Sequence, residues 1–278
     1  MPCELPASAL YSTPALGHLW HRVHLACSPY RHRPSIRNLY LRPAPTLRKF
    51  LNSPYSLIAL GCANGAKEAL LLKRLPKPSY LLAADTNRSL ACQAARRLPS
   101  TKNTSLKIDL TKPLPAFHFP ASTPRLFTLF GVLPNLDPLP LLRRLARRMK
   151  RGDLLLFSAN LAPGQNGQAG ARRVLAQYDN PPTRRWLEAA VLQYRPRLPA
   201  GKLVFGIFRD PRQGSLARIE ARWISGQKAW VILASRRPTK TQVETWISRV
   251  GLKRVARFLD PRGEEGVWLV THKATKRW

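Results

Sequence analysis

The chain has 278 residues, enough for one large α/β domain or for one domain with a sizeable insertion. Because 44% of the residues are hydrophobic, a packed core can form, and the composition argues against wholesale disorder. The longest apolar runs, such as residues 154–157, are far shorter than the roughly 20 residues that a membrane span needs, so we expect no membrane association.

The N-terminal segment and the cysteines bear on the cellular compartment. The first 30 residues lack the apolar stretch of a secretory signal; a processed transit peptide is the alternative, since this segment is poor in acids. The spacings of the cysteines match no zinc or redox pattern, and a chain of this length needs no disulfide framework. We therefore predict reduced thiols, no metal site and a cytoplasmic protein.

The net charge is the unusual feature of the composition. Lysine and arginine number 47 against 14 acids, which gives a formal charge of +33. One interpretation is that this positive charge attracts nucleic acid or anionic small molecules. The second is that the chain comes from a proteome biased towards lysine and arginine, in which case the charged side chains only form a solvated surface. The excess is spread along the chain with small clusters at 143–151, 172–173 and 184–185, which slightly favours the second interpretation. Nucleic acid stays open as a partner.

The order of the predicted elements indicates a fold class. Residues 1–54 are proline-rich and favour short helices and turns, with a helix near 47–51. The predicted elements that follow are a strand at 56–60, a helix ended by Pro76, a strand at 80–84, a helix at 88–98, strands at 105–108 and 125–130, a helix at 139–149 and a strand at 153–159. Strands that alternate with helices predict a doubly wound, mostly parallel, Rossmann-like α/β sheet.

The later part of the chain has a different pattern. Residues 160–200 are helical and irregular, and we predict antiparallel strands at 203–208, 217–224 and 230–235, a helix at 241–250 and a last strand at 267–271. The predicted divisions are an N-terminal segment (1–54) that contributes to the substrate site, a core that binds the cofactor (55–160), an α+β insertion that covers the substrate (161–235) and the end of the core (236–278).

A glycine loop and two acids follow the first three predicted strands. Gly61-Cys62-Ala63-Asn64-Gly65 follows the first strand, Asp85 the second and Asp109 the third. A glycine turn lets the backbone approach a nucleoside cofactor closely, an acid about 20 residues later accepts its ribose hydroxyls, and the third position meets the adenine edge. Alone, G-x-x-x-G is weak, and Asp85 could be a helix cap. Because Ala63 departs from the G-x-G-x-x-G of dinucleotide-binding domains, the ordered set favours S-adenosylmethionine over nicotinamide.

Residues 61–67 also resemble a particular family, the histidine-specific methyltransferases of ergothioneine biosynthesis. Lys67 stands six residues after the first glycine, as in that family's loop, although the family's second glycine falls on Ala63. The resemblance extends over nearly the whole chain at low identity. It implies a class I S-adenosylmethionine-dependent methyltransferase in which Gly61, Cys62, Gly65, Lys67, Asp85 and Asp109 bind the cofactor.

Three further segments resemble the substrate side of that family. Residues 130–138 resemble its G-S-x-x-G-N-x-x-P segment, which places Asn135 on the asparagine that holds the substrate amino group. Both family glycines have changed, to Phe130 and Pro134, unless Gly131 takes the first place across a one-residue gap. Residues 177–180 resemble its A-Y-D-D element, which places Tyr178 at the substrate, and Tyr30 falls on a substrate-side tyrosine. Asn135 could instead be a plain turn residue, and Tyr178 an ordinary half-buried aromatic.

A last segment resembles the family's substrate side but departs from it at one position. Aligned with the family's E-x-S-x-K segment, Ser235 falls on the serine and Arg237 on the lysine, but Leu233 replaces the glutamate that holds the imidazole. Leucine cannot bind an imidazole or fix its tautomer. The resemblance therefore implies N-methylation of a small amine or an amino acid other than histidine, by positioning and without a catalytic residue.

Two other functions stay open. A nucleic-acid methyltransferase would use the basic surface, and Asn180-Pro181-Pro182-Thr183 resembles the N-P-P-[Y/F] motif of such enzymes, but it follows the fourth strand by about 50 residues and lacks the aromatic. A non-catalytic binding protein could keep the fold. The sequence predicts no oligomeric state.

Overall fold

A computed structural model describes residues 3–51, 54–117, 119–120, 123–194 and 199–272. The predicted divisions extend into the gaps, and those parts lie outside the described residues. The helices are α1 Pro14–Cys27, α2 Pro29–His32, α3 Pro34–Leu39, α4 Ala44–Arg48, α5 Ala66–Leu72, α6 Arg88–Arg97, α7 Pro138–Arg148, α8 Gly167–Arg173, α9 Pro181–Tyr194 and α10 Lys240–Arg249. The strands are β1 Cys3–Glu4, β2 Ser56–Leu60, β3 Tyr80–Asp85, β4 Lys102–Lys107, β5 Arg125–Leu129, β6 Leu154–Asn160, β7 Lys202–Arg209, β8 Ala217–Ser225, β9 Lys228–Arg237, β10 Leu252–Leu259 and β11 Glu265–His272.

The main sheet is mostly parallel, as the sequence predicts. Its strand order is β10-β11-β6-β5-β2-β3-β4, and β11 runs antiparallel to both of its neighbours. Strand β2 lies near the centre, paired with β3 and β5, and all of its residues are buried. A strand covered on both faces needs a continuous apolar run, which explains residues 57–60. No helix of the described ranges is long and apolar enough to cross a membrane.

A second sheet has the order β1-β9-β8-β7, and the predicted antiparallel pairing of its last three strands is confirmed. The N-terminal strand β1 adds to it in parallel, beside β9. Helices α1 and α9 pack together over this sheet through a cluster that includes Leu16, Trp186, Leu187 and Leu233. The N-terminal segment is thereby joined to the late part of the chain.

Besides the short strand β1, which was not predicted, three elements differ from the sequence prediction. Helix α1 has 14 residues where short helices and turns were expected; Thr13 caps it and Pro14 occupies its first turn. Strand β10 escaped prediction because a register shift between Arg254 and Ala256 interrupts its alternation. The third parallel strand begins at Lys102, earlier than expected, because it is an exposed edge strand without a clear apolar period.

Two acids are buried in this core, and they differ in the partners that stabilise their charge. Asp153 accepts hydrogen bonds from Arg125 Nε at 2.9 and 3.1 Å, and both side chains are almost fully buried. Glu68 of α5, 1% exposed, accepts from the Thr128 hydroxyl at 3.2 Å, but its second oxygen has no partner among the described residues. Burial raises the pKa of Glu68 to about 7, against the smaller opposing effects of Lys67 and Thr128.

We expect Asp153→Ala to lower the free energy of unfolding by about 3–5 kcal/mol, because it leaves the Arg125 charge buried without its partner. The matched control is Asp179→Ala, whose half-exposed pair with Arg184 should be worth at most about 1 kcal/mol. Urea unfolding of both variants measures the difference. Equal costs would contradict the assigned role of the buried pair.

The buried Glu68 also predicts a pH dependence of stability. Its folded-state pKa, about 7, lies above the ordinary value of 4.5, so the folded chain binds the extra proton between these values and the free energy of unfolding falls as pH rises through them. Glu68→Gln removes this loss. Between pH 4.5 and pH 8, the free energy of unfolding of the variant should rise relative to that of wild type by about 3 kcal/mol, as measured by urea unfolding. Parallel pH profiles would refute the assignment; the exposed Glu188→Gln is the control.

Candidate functional site

A cavity of about 360 Å³ opens at the carboxyl ends of the parallel strands. Ligands of open α/β sheets bind at this edge, and the volume lies within the usual range for small-molecule sites. The main sheet supplies one wall of the cavity, and α1, α9 and β9 supply the other. Residues from the two sheets and from the N-terminal segment therefore meet around one space.

The glycine loop after β2 forms the floor of this cavity. Gly61 has φ +58°, and a Cβ added to it would lie 2.4 Å from Val132 Cγ2, so only glycine fits. Ala63 also adopts a left-handed conformation, with φ +46°. Its backbone N–H donates to Asp85 Oδ2 at 2.9 Å, and this bond fixes the loop against the end of β3.

Asp85 lines the cavity, and both oxygens of its carboxylate accept backbone hydrogen bonds. Its second oxygen accepts from the Asn87 backbone N–H at 2.9 Å, and the residue is 8% exposed. Burial raises the pKa of Asp85, and the backbone hydrogen bonds oppose that effect. A carboxylate oriented in this way can accept hydrogen bonds from a pair of ligand hydroxyls.

The other residues predicted to bind the cofactor have different positions. Cys62 lines the cavity, whereas Gly65 turns the chain into α5 and packs its backbone against Ala94 of α6 and Leu98, which directly follows that helix. Asp109 lines the cavity two residues after β4, and its carboxylate accepts from the Thr111 N–H at 2.9 Å and hydroxyl at 2.7 Å. Partial burial raises the pKa of Asp109, but these hydrogen bonds and neighbouring cations outweigh burial and lower it.

Asp109 stands between two apolar side chains of the cavity wall. Ile108 and Leu110 are both nearly buried and line the cavity on either side of it. This wall can accommodate a flat apolar group, with a carboxylate at its edge. It lies at the position where the sequence predicts the adenine.

Lys67 lies beside two aromatic rings and a carboxylate. Its Nζ is 4.8 Å from the ring centre of Tyr40, 5.5 Å from that of Tyr30 and 4.0 Å from Glu265 Oε1. The ammonium therefore already has a buried carboxylate near it, which would compete with the cofactor carboxylate that the resemblance implies. The Tyr30 hydroxyl donates to the Ala66 carbonyl at 3.3 Å, which places this predicted substrate residue beside the loop.

The remaining predicted substrate residues meet at the opposite wall. The Tyr178 hydroxyl lies 2.8 Å from Ser235 Oγ, and Arg237 Nη2 donates to it at 2.6 Å. Leu233, Ser235 and Arg237 alternate along β9, so all three face the cavity. Asn135 lies at the end of a 3₁₀ turn after β5 and also lines the cavity.

Aromatic side chains form a further wall of the cavity, which the sequence pattern did not reveal. The Tyr11 ring lies 5.7 Å from Trp20 and 5.6 Å from Trp186, and Trp20 stacks on His24 at 5.5 Å. Burial lowers the pKa of His24 to about 4, and the charges of Lys67, Arg31 and His21 add to that effect. The spacing of Trp20 and His24, four residues apart on α1, was a usable signal once that helix is recognised.

Comparisons with known proteins identify the fold. A scan against protein-family models found no match, nor did a search of curated proteins. A solved S-adenosylmethionine-dependent methyltransferase from Clostridium acetobutylicum ATCC 824 is 11% identical with a TM-score of 0.50, covering 94% of this chain and 100% of that one. PH0226 protein from Pyrococcus horikoshii OT3 is 15% identical with a TM-score of 0.52, covering 91% of this chain and 98% of that one.

Similarity at these identities concerns the fold. It gives no support to the histidine-specific family, so the sequence resemblance to that family is not a family assignment. The described residues have the α/β, Rossmann-like fold of class I S-adenosylmethionine-dependent methyltransferases, with a mostly parallel seven-stranded sheet and an additional antiparallel sheet.

Proposed function

We propose that the protein is an S-adenosylmethionine-dependent methyltransferase that N-methylates a small amine or an amino acid other than histidine. One observation carries the proposal: the glycine loop is fixed to Asp85 by the Ala63 hydrogen bond, and this carboxylate lines the cavity with lone pairs left to accept from ligand hydroxyls. In a chain with this fold, that arrangement fits the ribose of the cofactor.

The residues present fit this cofactor. Gly61 leaves the loop backbone open where a side chain would collide with Val132, Asp85 would hold the ribose hydroxyls, and Ile108 and Leu110 would border the adenine beside Asp109. Cys62 and Gly65 would shape the loop. Lys67 would approach the carboxylate of the cofactor if that group replaced Glu265 as its partner. When bound, the cofactor supplies an electrophilic methyl group on a sulfonium.

The far wall would position the acceptor. Asn135 carries a side-chain amide that makes no hydrogen bond to the described residues, and Tyr178, Ser235 and Tyr30 add hydroxyls. A neutral amine brings its own lone pair, so transfer needs alignment rather than a strong base. His24, with a pKa of about 4, stays neutral at pH 7 and is a weak base, which suits such an acceptor.

The cavity also bears on which amine is accepted. Leu233 faces it beside Ser235, an apolar side chain where an imidazole would need a polar partner. The net charge of +33 supports a second candidate, a nucleic-acid methyltransferase. A cavity of about 360 Å³ that must hold both cofactor and acceptor favours the small molecule.

Calorimetric titration with S-adenosylhomocysteine tests the proposal. Wild type should bind it, and Asp85→Ala should raise Kd by about 10- to 100-fold, because hydrogen bonds to a charged acceptor are lost. Asp179→Ala, a surface aspartate outside the cavity, should bind as wild type does. Absence of binding to wild type, or equal affinity of the Asp85 variant, would sink the proposal.

A further inference from the structure

Arg237 is a buried cation that has no acidic partner among the described residues. It ends β9, is 2% exposed and lines the cavity. Its guanidinium donates to the Tyr178 hydroxyl at 2.6 Å and to the Leu161 carbonyl at 3.3 Å, while Nε has no hydrogen-bond partner among the described residues. No described carboxylate forms an ion pair with it. Burial of a charge that lacks a counter-ion is unfavourable, because the desolvation of the ion is not offset by a paired charge.

The other buried arginines of the described chain show how this fold compensates such a charge. Arg125 pairs with Asp153, Arg218 with Glu220 and Glu4, and Arg236 with Asp210 at 2.8 Å. Arg236 is the immediate neighbour of Arg237 on β9, yet its side chain finds an acid. Arg237 alone in this set has neutral neighbours, and it alone faces the cavity.

We infer that Arg237 binds a carboxylate of the methyl acceptor, so that the acceptor is a small amino carboxylate; this deepens the proposed function and rests on it. Arg237 lines the cavity without an acid partner among the described residues, and a guanidinium is the cation whose planar geometry suits a carboxylate. The Tyr178 ring lies 5.0 Å from the guanidinium carbon and holds it in place. Ser235 lies within the same hydrogen-bonded group and can add a neutral donor.

The chemistry of the wall favours a carboxylate over a phosphate. A phosphate group carries about −1.5 to −2 charges at pH 7 and is matched by more than one cation. Around Arg237 the companions are a phenol, a hydroxyl and a backbone carbonyl, all neutral, and Lys67 is near Glu265 instead. A single arginine matches a single negative charge.

The neighbouring side chains describe the rest of the acceptor. Leu233 precedes Arg237 on the cavity face of β9, and the rings of Tyr11 and Trp186 continue that wall. An apolar or aromatic body would pack there with its carboxylate towards Arg237. The acceptor amine would then lie between this wall and the glycine loop.

Binding of benzoate to the complex with S-adenosylhomocysteine tests the inference without requiring the true acceptor. Calorimetry should detect benzoate but not the neutral isostere benzamide, and phenylphosphonate should bind more weakly than benzoate. Arg237→Gln should raise the Kd of benzoate at least about tenfold, Arg237→Lys by less, and the exposed Arg209→Gln of the same sheet not at all.

Several outcomes would overturn the inference. Equal affinity for benzoate and benzamide in wild type would do so even if Arg237→Gln fails to fold, and so would no benzoate binding. If phenylphosphonate bound more tightly than benzoate, the inferred acceptor would carry a phosphate group and not a carboxylate. Arg237-dependent benzoate binding to a protein that does not bind S-adenosylhomocysteine would instead contradict the proposed function and leave the anion site standing.

Discussion

The hydrogen bond from the Ala63 backbone to Asp85 is the contact on which the site depends. Ala63 is held with φ +46°, a conformation that costs an L-residue about 1–2 kcal/mol. A hydrogen bond to a charged acceptor contributes about 1.5–3 kcal/mol, enough to offset that cost. The same bond fixes the loop and orients the carboxylate, so loop and acid act as one unit at the carboxyl ends of β2 and β3.

Two adjacent carboxylates at the start of β11 link the segments that surround the cavity. Glu264 bonds to Arg33 and, at 2.8 Å, to Gln177, while Glu265 bonds to Tyr40 and approaches Lys67. These partners come from the N-terminal segment, from the stretch before α9 and from the helix after the glycine loop. Three distant parts of the chain are therefore held around the cavity by polar contacts to two neighbouring residues.

The sequence could place the residues of the proposed cofactor side at one edge of the sheet, because their signal is local. Gly61, Asp85 and Asp109 each follow a strand in sequence, and parallel strands bring their carboxyl ends to one edge. The boundary of β4 and the bulge in β10 were not predictable, because an exposed edge strand and a broken alternation leave no clear period.

The sequence indicated the contacts of the proposed acceptor side only in part, because they join distant residues. The indole N–H of Trp186 donates to the Leu10 carbonyl, which positions that ring against Tyr11 across the length of the chain. Likewise the sequence shows Arg237 beside Arg236, and only the fold reveals that one is paired with Asp210 and the other is not. Partner identity is a property of tertiary packing.

A crystal structure of the protein with S-adenosylhomocysteine is the most direct test of the central claim that the Asp85-linked loop is a cofactor site. The account predicts both ribose hydroxyls within hydrogen-bond distance of Asp85 and the adenine beside Ile108 and Leu110. A ligand bound elsewhere, or a ribose that does not contact Asp85, would contradict it.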